Sequence, residues 1–283
     1  MKSTRNGADA PILALLSLTL LAGCGSSDSA SPSSWYPTNS IYAYMKAVQD
    51  ESGNISTTVQ LRNGPLSTDA YLYLADGDIL YSSLDMPPQQ YMNFNDNLFG
   101  NSLEVSQRLK VMSARDLYTD FHLFTQIVWG KPEYVSLGTP GTSSSPVRAY
   151  VDLERSGQVM TGASFVELPP DFQITAPASE ASISRAVPLA LTWTNVDITT
   201  TMRLDVAGVC VDGSRYTLNH IIGPDTGAAA LNSADYFPST GTATNCRVAF
   251  MLQRVRTGGV SPKFAFGSFE GVQQRTIQFT TTP

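Results

Sequence analysis

The chain has 283 residues, of which 42% are hydrophobic and 15% are charged, and its formal net charge at pH 7 is −6. A mildly acidic chain without a basic cluster is not typical of proteins that bind nucleic acid or adhere electrostatically to anionic lipid. It has two histidines and three cysteines without CxxC spacing, so no familiar set of zinc ligands and no cofactor are predicted.

The N-terminus has the parts of a secretory signal. Lys2 and Arg5 give a positive start, and residues 11–21 form an apolar run of 11 residues. That run is too short to span a bilayer as a helix, which needs about 20 residues. It ends in the four residues Leu21, Ala22, Gly23 and Cys24.

The Leu-Ala-Gly-Cys sequence resembles the lipobox of bacterial lipoproteins. The resemblance implies that residues 1–23 are a signal peptide cleaved before Cys24, which carries diacylglycerol and an N-terminal acyl chain such as palmitate. In Gram-negative bacteria it also implies transfer to the outer membrane, because Gly25 rather than Asp follows the cysteine. An ordinary signal peptide with a chance cysteine, or an uncleaved anchor, are the alternatives.

The segment after Cys24 is rich in serine. Residues 24–34 are predicted to be a lipidated cysteine and a flexible tether, because such a composition cannot bury a core. Removal of residues 1–23, which carry a net charge of +1, leaves 260 residues with a charge of −7. That length suits one large or two ordinary domains.

Residues 35–168 show the period-two pattern of β-strands. Residues 55–61 and 147–153 alternate apolar and polar side chains, which predicts one core face and one wetter face for each strand. An Asp-Gly turn at residues 76–77 predicts a hairpin between residues 71–75 and 79–84. Residues 98–129 are less clear, with strands favoured and one short helix possible. We predict an N-terminal β-sandwich domain over residues 35–168.

Paired prolines at residues 169–170 predict a boundary, since proline cannot continue a central strand. Beyond it, residues 202–211 and 215–222 predict a hairpin around Asp212-Gly213, within a set of about seven short strands. Trp193 in an early strand and a final strand over residues 275–280 resemble immunoglobulin-like and fibronectin-type-III-like domains. The resemblance implies an immunoglobulin-like β-sandwich over residues 169–283, and hence an all-β chain of two sandwiches.

The two remaining cysteines, Cys210 and Cys246, give an even count in an exported chain. A disulfide between them is predicted, linking the strand that ends near Val211 to the strand that begins at Cys246. Two buried free thiols are the alternative. Trp193 precedes both cysteines, whereas in antibody domains the tryptophan lies between them.

One motif suggests protease chemistry. Residues 225–228 read Asp-Thr-Gly-Ala, as in aspartic proteases, in which two such aspartates share a proton. The chain has no second copy, and Pro224 before Asp225 interrupts the strand that would deliver the aspartate. We therefore expect Asp225 in a solvent-facing turn and predict no catalytic residues.

The other polar clusters have simpler explanations. His122 and His220 are isolated, and no GxSxG sequence nominates a serine for a Ser-His-Asp triad. Residues 76–78 and 93–97 offer oxygen ligands but do not match a calcium loop, so no metal site is predicted. Residues 138–146 predict an exposed loop. Trp35 and Tyr36 are expected to cap the first core, with glycan binding as the alternative.

The sequence thus predicts a non-enzymatic, lipid-anchored cell-envelope protein with a binding or scaffolding role. Its expected partners are the membrane, through the N-terminal lipid, and an envelope protein or glycan. The alternative is a surface glycan-binding module or an envelope hydrolase whose site is assembled from loops.

Overall fold

The computed structural model describes residues 30–65, 70–74, 78–84, 106–109, 134–138, 146–155, 158–159, 164–238 and 244–283. These residues form an almost entirely β structure with one short α-helix, α1, over Ser233–Tyr236. The prediction of an all-β chain of two sandwiches is confirmed. The cysteine at residue 24, His122, residues 93–97 and most of residues 98–129 and 138–146 lie outside the described residues.

The strands fall into three sheets. The ten-stranded sheet contains β1 (Ser31–Pro32), β2 (Tyr42–Gln49), β3 (Ile55–Arg62), β4 (Tyr71–Tyr73), β7 (Tyr134–Gly138), β12 (Ser182–Ser184), β14 (Thr201–Cys210), β15 (Arg215–Pro224), β17 (Cys246–Thr257) and β18 (Phe266–Thr282). The five-stranded sheet contains β5 (Ile79–Leu84), β6 (Ser106–Leu109), β8 (Arg148–Arg155), β9 (Gln158–Val159) and β10 (Ser164–Glu167). The three-stranded sheet contains β11 (Ile174–Ala176), β13 (Leu189–Trp193) and β16 (Ala228–Leu231).

The ten-stranded sheet is common to both sandwiches. Its main order is β1-β4-β3-β2-β18-β17-β14-β15, and β18 is the strand that joins the two halves. One part of β18 pairs in parallel with β2, from Phe266 opposite Tyr42 to Gln273 opposite Gln49. Further along, β18 pairs with β12, while β17 runs antiparallel along its other side.

Each smaller sheet encloses a separate core against the ten-stranded sheet. The first core combines residues such as Val59 and Leu61 with Leu80 and Val151 of the five-stranded sheet. The second combines residues of the three-stranded sheet, including Trp193, with β14, β17 and β18. Burial of these apolar side chains is the main stabilising contribution in both sandwiches.

The proposed division at residue 168 stays a prediction. Leu168 packs in the first core and Phe172 in the second, so the paired prolines lie where the chain passes between the cores. However, Phe264 and Phe269, which follow β17, return to the first core. The last strand, β18, therefore contributes to both sandwiches, with Phe269 in the first core and Phe279 in the second.

Several local predictions can be checked against strand pairing. The hairpin over residues 202–211 and 215–222 is confirmed, with β14 antiparallel to β15 and Gly213 at φ +84° in the turn. The hairpin over residues 71–75 and 79–84 is wrong, because β4 pairs with β3 and β1 whereas β5 pairs with β8 and β6. The predicted tether is too long at its end, since Ser31 and Pro32 pair with β4 and Ser33 is buried.

The predicted burial pattern of residues 147–153 is also wrong in part. In β8 the apolar residues Ala149, Val151 and Leu153 are buried as expected, but so are Asp152 and Glu154 on the other face. Their carboxylates accept hydrogen bonds from the Leu153 amide (2.9 Å) and the Tyr81 hydroxyl (2.5 Å), which offsets the cost of burying them. The alternation of β3 is confirmed, with Ile55, Val59 and Leu61 buried.

Candidate binding surface

Both smaller sheets pack on the same side of the ten-stranded sheet. In β18, the residues that enter the first and second cores, Phe269 and Phe279, are an even number of positions apart and so point to the same side. The alternating side chains on the opposite side run across both sandwiches, and we call this side the outer face; Arg62, Gln253, Val255 and Val272 on it are buried. It includes Tyr42, Tyr44, Lys46, Gln60, Arg203, Asp205, Val209, Asn219, Ile221, Met251, Gln253, Phe266, Glu270 and Gln278.

One end of the outer face is aromatic. Tyr42 and Phe266 lie opposite each other on β2 and β18, with their ring centroids 6.1 Å apart, and the Phe266 side chain is 62% exposed. Tyr44 follows on β2, and the Arg62 guanidinium lies 6.0 Å from the centre of its ring. Aromatic rings supply large contact area with little loss of conformational entropy on binding.

The centre of the outer face is a polar network that crosses the strands. Arg203 forms a bidentate pair with Glu270, with N–O distances of 2.8 and 3.0 Å. The Gln253 amide donates to Asp205 (2.9 Å) and accepts from the Lys46 ammonium (3.5 Å), while Asn219 also donates to Asp205 (2.6 Å). These bonds hold donors and acceptors in fixed positions beside the aromatic end.

Behind the outer face lies a fully buried ion pair. Asp225 and Arg254 are both inaccessible to solvent, and their Oδ2 and Nη2 atoms are 2.8 Å apart. The Asp225 carboxylate also accepts from Trp193 Nε1 (2.6 Å) and from the Asp197 amide (2.9 Å). The expectation that Asp225 faces solvent is therefore wrong, although it does lie in the turn between β15 and β16.

Arg254 ties this pair to the passage between the cores. Its guanidinium donates to the carbonyl oxygens of Pro170 (2.9 Å) and Thr194 (3.0 Å) and lies 4.7 Å from the centre of the Phe172 ring. Burial lowers the pKa of the Arg254 guanidinium, and Asp225 opposes that effect. The Asp-Thr-Gly-Ala motif thus supplies a structural anion in this fold.

A second set of charges crosses the same passage. Arg256 pairs with Glu167 of β10 and with Asp197, both at 2.6 Å. Burial raises the pKa of Asp197, but hydrogen bonds from Thr199 and Arg256 outweigh it, so the pKa is lowered overall. A cleft of about 330 Å³ lies beside Arg256 and is lined by Gln49, Glu167, Pro169, Pro170 and Gln273, among others.

The predicted disulfide is present. Cys210 and Cys246 are bonded, and they lie directly opposite each other on the adjacent strands β14 and β17. Both are buried at the edge of the second core. The bond therefore joins neighbouring strands within one sheet, rather than linking two sheets as in antibody domains.

Of the histidine and calcium candidates, the structure describes His220 and Asp78. His220 lies with its Nδ1 atom 3.7 Å from Asp235 Oδ1, and its described hydrogen bonds and ion pairs include no serine hydroxyl. Asp78 is paired with Arg155 and accepts from Ser33 Oγ (2.5 Å), so its carboxylate is occupied. Among the described residues, no group of three or more His, Cys, Asp or Glu side chains is arranged to hold a metal ion.

Trp35 and Tyr36 differ in their burial. Tyr36 packs against the first core, as predicted, but Trp35 is 72% exposed and does not cap it. In the part of the chain that the structure describes, no helix is long and apolar enough to cross a membrane.

The sequence analysis did not predict the outer face or the buried ion pair of Asp225 and Arg254. A signal for the pair was present, because Arg254 occupies the same alternating positions of β17 as the buried Phe250 and Leu252, which indicates a buried charge.

Comparisons with known proteins do not assign a family. No protein-family model matches the chain, and no curated protein matches it. Among solved structures, the FN1–FN3 domains of chicken CNTN1 align over 90% of this chain and 69% of that chain, with 11% identity and a TM-score of 0.28. An Escherichia coli alpha-2-macroglobulin activated by porcine elastase aligns over 86% and 22%, with 11% identity and a TM-score of 0.23. At these scores, the immunoglobulin-like assignment of the second sandwich stays a prediction.

Proposed function

We propose that the chain is a non-catalytic binding or scaffolding protein of the bacterial cell envelope, anchored by lipid at Cys24 and binding its partner through the outer face. The observation that carries the binding role is the outer face itself, with an aromatic end beside a polar network. Such a surface offers apolar contact area together with directional hydrogen bonds, which is the usual make-up of a recognition surface.

The lipid anchor rests on the sequence and on the cysteine arrangement. Cys210 and Cys246 are bonded to each other, which leaves Cys24 as the third cysteine of the chain. A thiol that follows Leu-Ala-Gly after an apolar run suits acylation, and more than one acyl chain is needed for stable attachment. We propose outer-membrane localisation if the organism is Gram-negative.

The anchor is tested by lipid labelling in a bacterial host. Cys24→Ala should abolish incorporation of labelled palmitate and leave the unprocessed precursor, whereas Cys210→Ser with Cys246→Ser should still incorporate label. Labelling of the Cys24→Ala protein would show that the anchor assignment is wrong.

The binding face is tested by affinity capture from detergent-solubilised envelope, with two matched variants. Phe266→Ser removes an exposed apolar side chain from the outer face, and Val187→Ser removes one of similar exposure, 58% against 62%, from the loop between β12 and β13. We expect capture by the wild type and by Val187→Ser, and loss of capture by Phe266→Ser. Equal capture by both variants would place binding elsewhere.

The aromatic end of the outer face favours a glycan as the second candidate for the partner. Sugar rings stack on aromatic faces, and Gln60 and Ser268 lie next to Tyr44 in the strand register to supply hydrogen bonds. If the partner is a glycan, isolated envelope polysaccharide should bind the wild type and should not bind Phe266→Ser. If the partner is a protein, protease treatment of the extract should abolish capture.

A further inference from the structure

Trp35 is held outward at the end of the tether. It ends a 3-10 turn over Ser33–Trp35, which closes with a hydrogen bond from the Tyr36 amide to the Ser33 carbonyl (3.0 Å). Beneath the turn, Arg155 donates to the carbonyl oxygens of Ser33 (2.9 Å) and Tyr36 (2.8 Å) and pairs with Asp78. The indole therefore projects from a firmly bonded base.

The distance from this base to the lipid is limited by covalent geometry. Ala30, the first described residue, follows Cys24 by six positions, and an extended chain spans at most about 3.3–3.6 Å per residue. Ala30 thus lies within about 20 Å of a lipidated Cys24. The sandwich edge that carries Trp35 cannot move far from the membrane surface.

The surroundings of Trp35 suit a lipid headgroup layer. Residues 30–45 contain no Asp, Glu, Lys or Arg, although the chain as a whole is acidic. A second exposed aromatic residue, Tyr73 on β4, lies opposite Pro32 in the parallel pairing of β1 with β4, and Pro32 precedes Trp35 by three residues. Tryptophan and tyrosine concentrate at membrane interfaces because their rings combine an apolar body with a polar group.

From these observations we propose that Trp35 inserts into the headgroup region of the bilayer that holds the lipid at Cys24. This contact would turn a flexible attachment into an oriented one, with the β1 edge of the ten-stranded sheet against the membrane and the β15 edge away from it. The inference rests on the lipid anchor proposed above.

The test is fluorescence quenching of the lipidated protein in phosphatidylcholine vesicles, with and without lipid brominated near the headgroup. The chain has three tryptophans, so the Trp35 signal is the difference between the wild type and Trp35→Phe. We expect brominated lipid to remove the Trp35 emission. Equal Trp35 emission in both kinds of vesicle would overturn the inference.

A matched control places a tryptophan at the other edge. Val211→Trp, made in the Trp35→Phe protein, lies at an 81% exposed position in the turn between β14 and β15. Seven strand spacings of about 4.8 Å separate β1 from β15, or roughly 34 Å, so this tryptophan should stay unquenched. Quenching of the control as strong as that of Trp35 would overturn the proposed orientation.

Flotation of the same vesicles separates the two claims. Wild-type protein that fails to float with the vesicles would overturn both the lipid anchor and the Trp35 contact. Protein that floats, but whose Trp35 emission is unchanged by brominated lipid, would leave the anchor standing and overturn the Trp35 contact alone.

Discussion

The buried pair of Asp225 and Arg254 gives the sharpest test of the structure. We consider Asp225→Asn, which preserves the shape of the side chain and removes its charge. The groups bonded to the Asp225 carboxylate include four that can only donate, namely Arg254 Nη2, Trp193 Nε1 and the amides of Asp197 and Gly227. An asparagine NH2 group would face a donor in either orientation, so the site requires a carboxylate.

The expected cost follows from what the substitution leaves behind. Arg254 would remain fully buried with three carbonyl partners but without a counter-charge. Breaking a buried pair by removing one partner typically costs about 3–5 kcal/mol. Because a natural domain has a stability of about 5–15 kcal/mol, the second sandwich should lose a large share of its stability.

The assay is urea unfolding of the chain without the predicted signal peptide and with the disulfide intact, monitored by tryptophan fluorescence and by circular dichroism. The matched control is Asp212→Asn in the exposed turn between β14 and β15, where asparagine can make the same bond to the Ser214 amide. We expect the control to unfold like the wild type. Adding Arg254→Met to Asp225→Asn should recover part of the loss, because the unpaired charge is then gone.

The reasoning would be refuted if Asp225→Asn and Asp212→Asn had the same free energy of unfolding. That result would mean that Asp225 reaches solvent, as its place in an Asp-Gly-containing turn first indicated. A double variant less stable than Asp225→Asn alone would instead show that Arg254 stabilises the fold mainly through its carbonyl partners and its packing.

Three further predictions concern single features of the fold. Replacing Cys210 and Cys246 by serine should lower the free energy of unfolding by about 2–5 kcal/mol in urea titrations, and an unchanged midpoint would contradict a structural role for the bond. Burial raises the pKa of Tyr134 and of Tyr216 to about 12, above the unfolded value of about 10, so the stability from their neutral forms is present below pH 10 and is lost as the pH rises through 12. Absorbance titration should show at least two tyrosines that ionise late, and full ionisation of all tyrosines by pH 11 without unfolding would contradict this. Gly208→Ala should destabilise the second sandwich by about 1–3 kcal/mol, because the new Cβ would lie 2.1 Å from the Tyr216 ring, and a neutral effect in thermal unfolding would show that the ring can move aside.

The local character of the strands could be predicted from the sequence, but the sheet to which each strand belongs could not. The alternation of Ile55, Val59 and Leu61 correctly identified β3, because one face of that strand enters a core. The Asp-Gly pair at residues 76–77 wrongly predicted a hairpin, because the turn signal is local whereas β4 and β5 join different sheets. The parallel pairing of β2 with β18 joins residues more than 220 positions apart, and no local pattern encodes it.

Polar residues within strands were the main source of error. Aspartate is usually exposed, so the residue type predicts exposure for Asp152 and Asp225, yet both are fully buried. Their burial depends on partners from distant segments or from the backbone, and a single sequence does not reveal those partners. Cys210 and Cys246 were paired correctly because assigning Cys24 to the predicted lipid left these two cysteines as the one possible pair.

The central claim is that the anchored protein binds through the outer face, and photo-crosslinking in living cells tests it most directly. A photoreactive phenylalanine analogue would replace Tyr44 or Gln278 on the outer face in two variants, and Val187 in the control, with the natural lipid signal retained. We predict crosslinked adducts of one partner from both outer-face positions and none from position 187. Adducts from position 187 alone, or none from either outer-face position, would contradict the account.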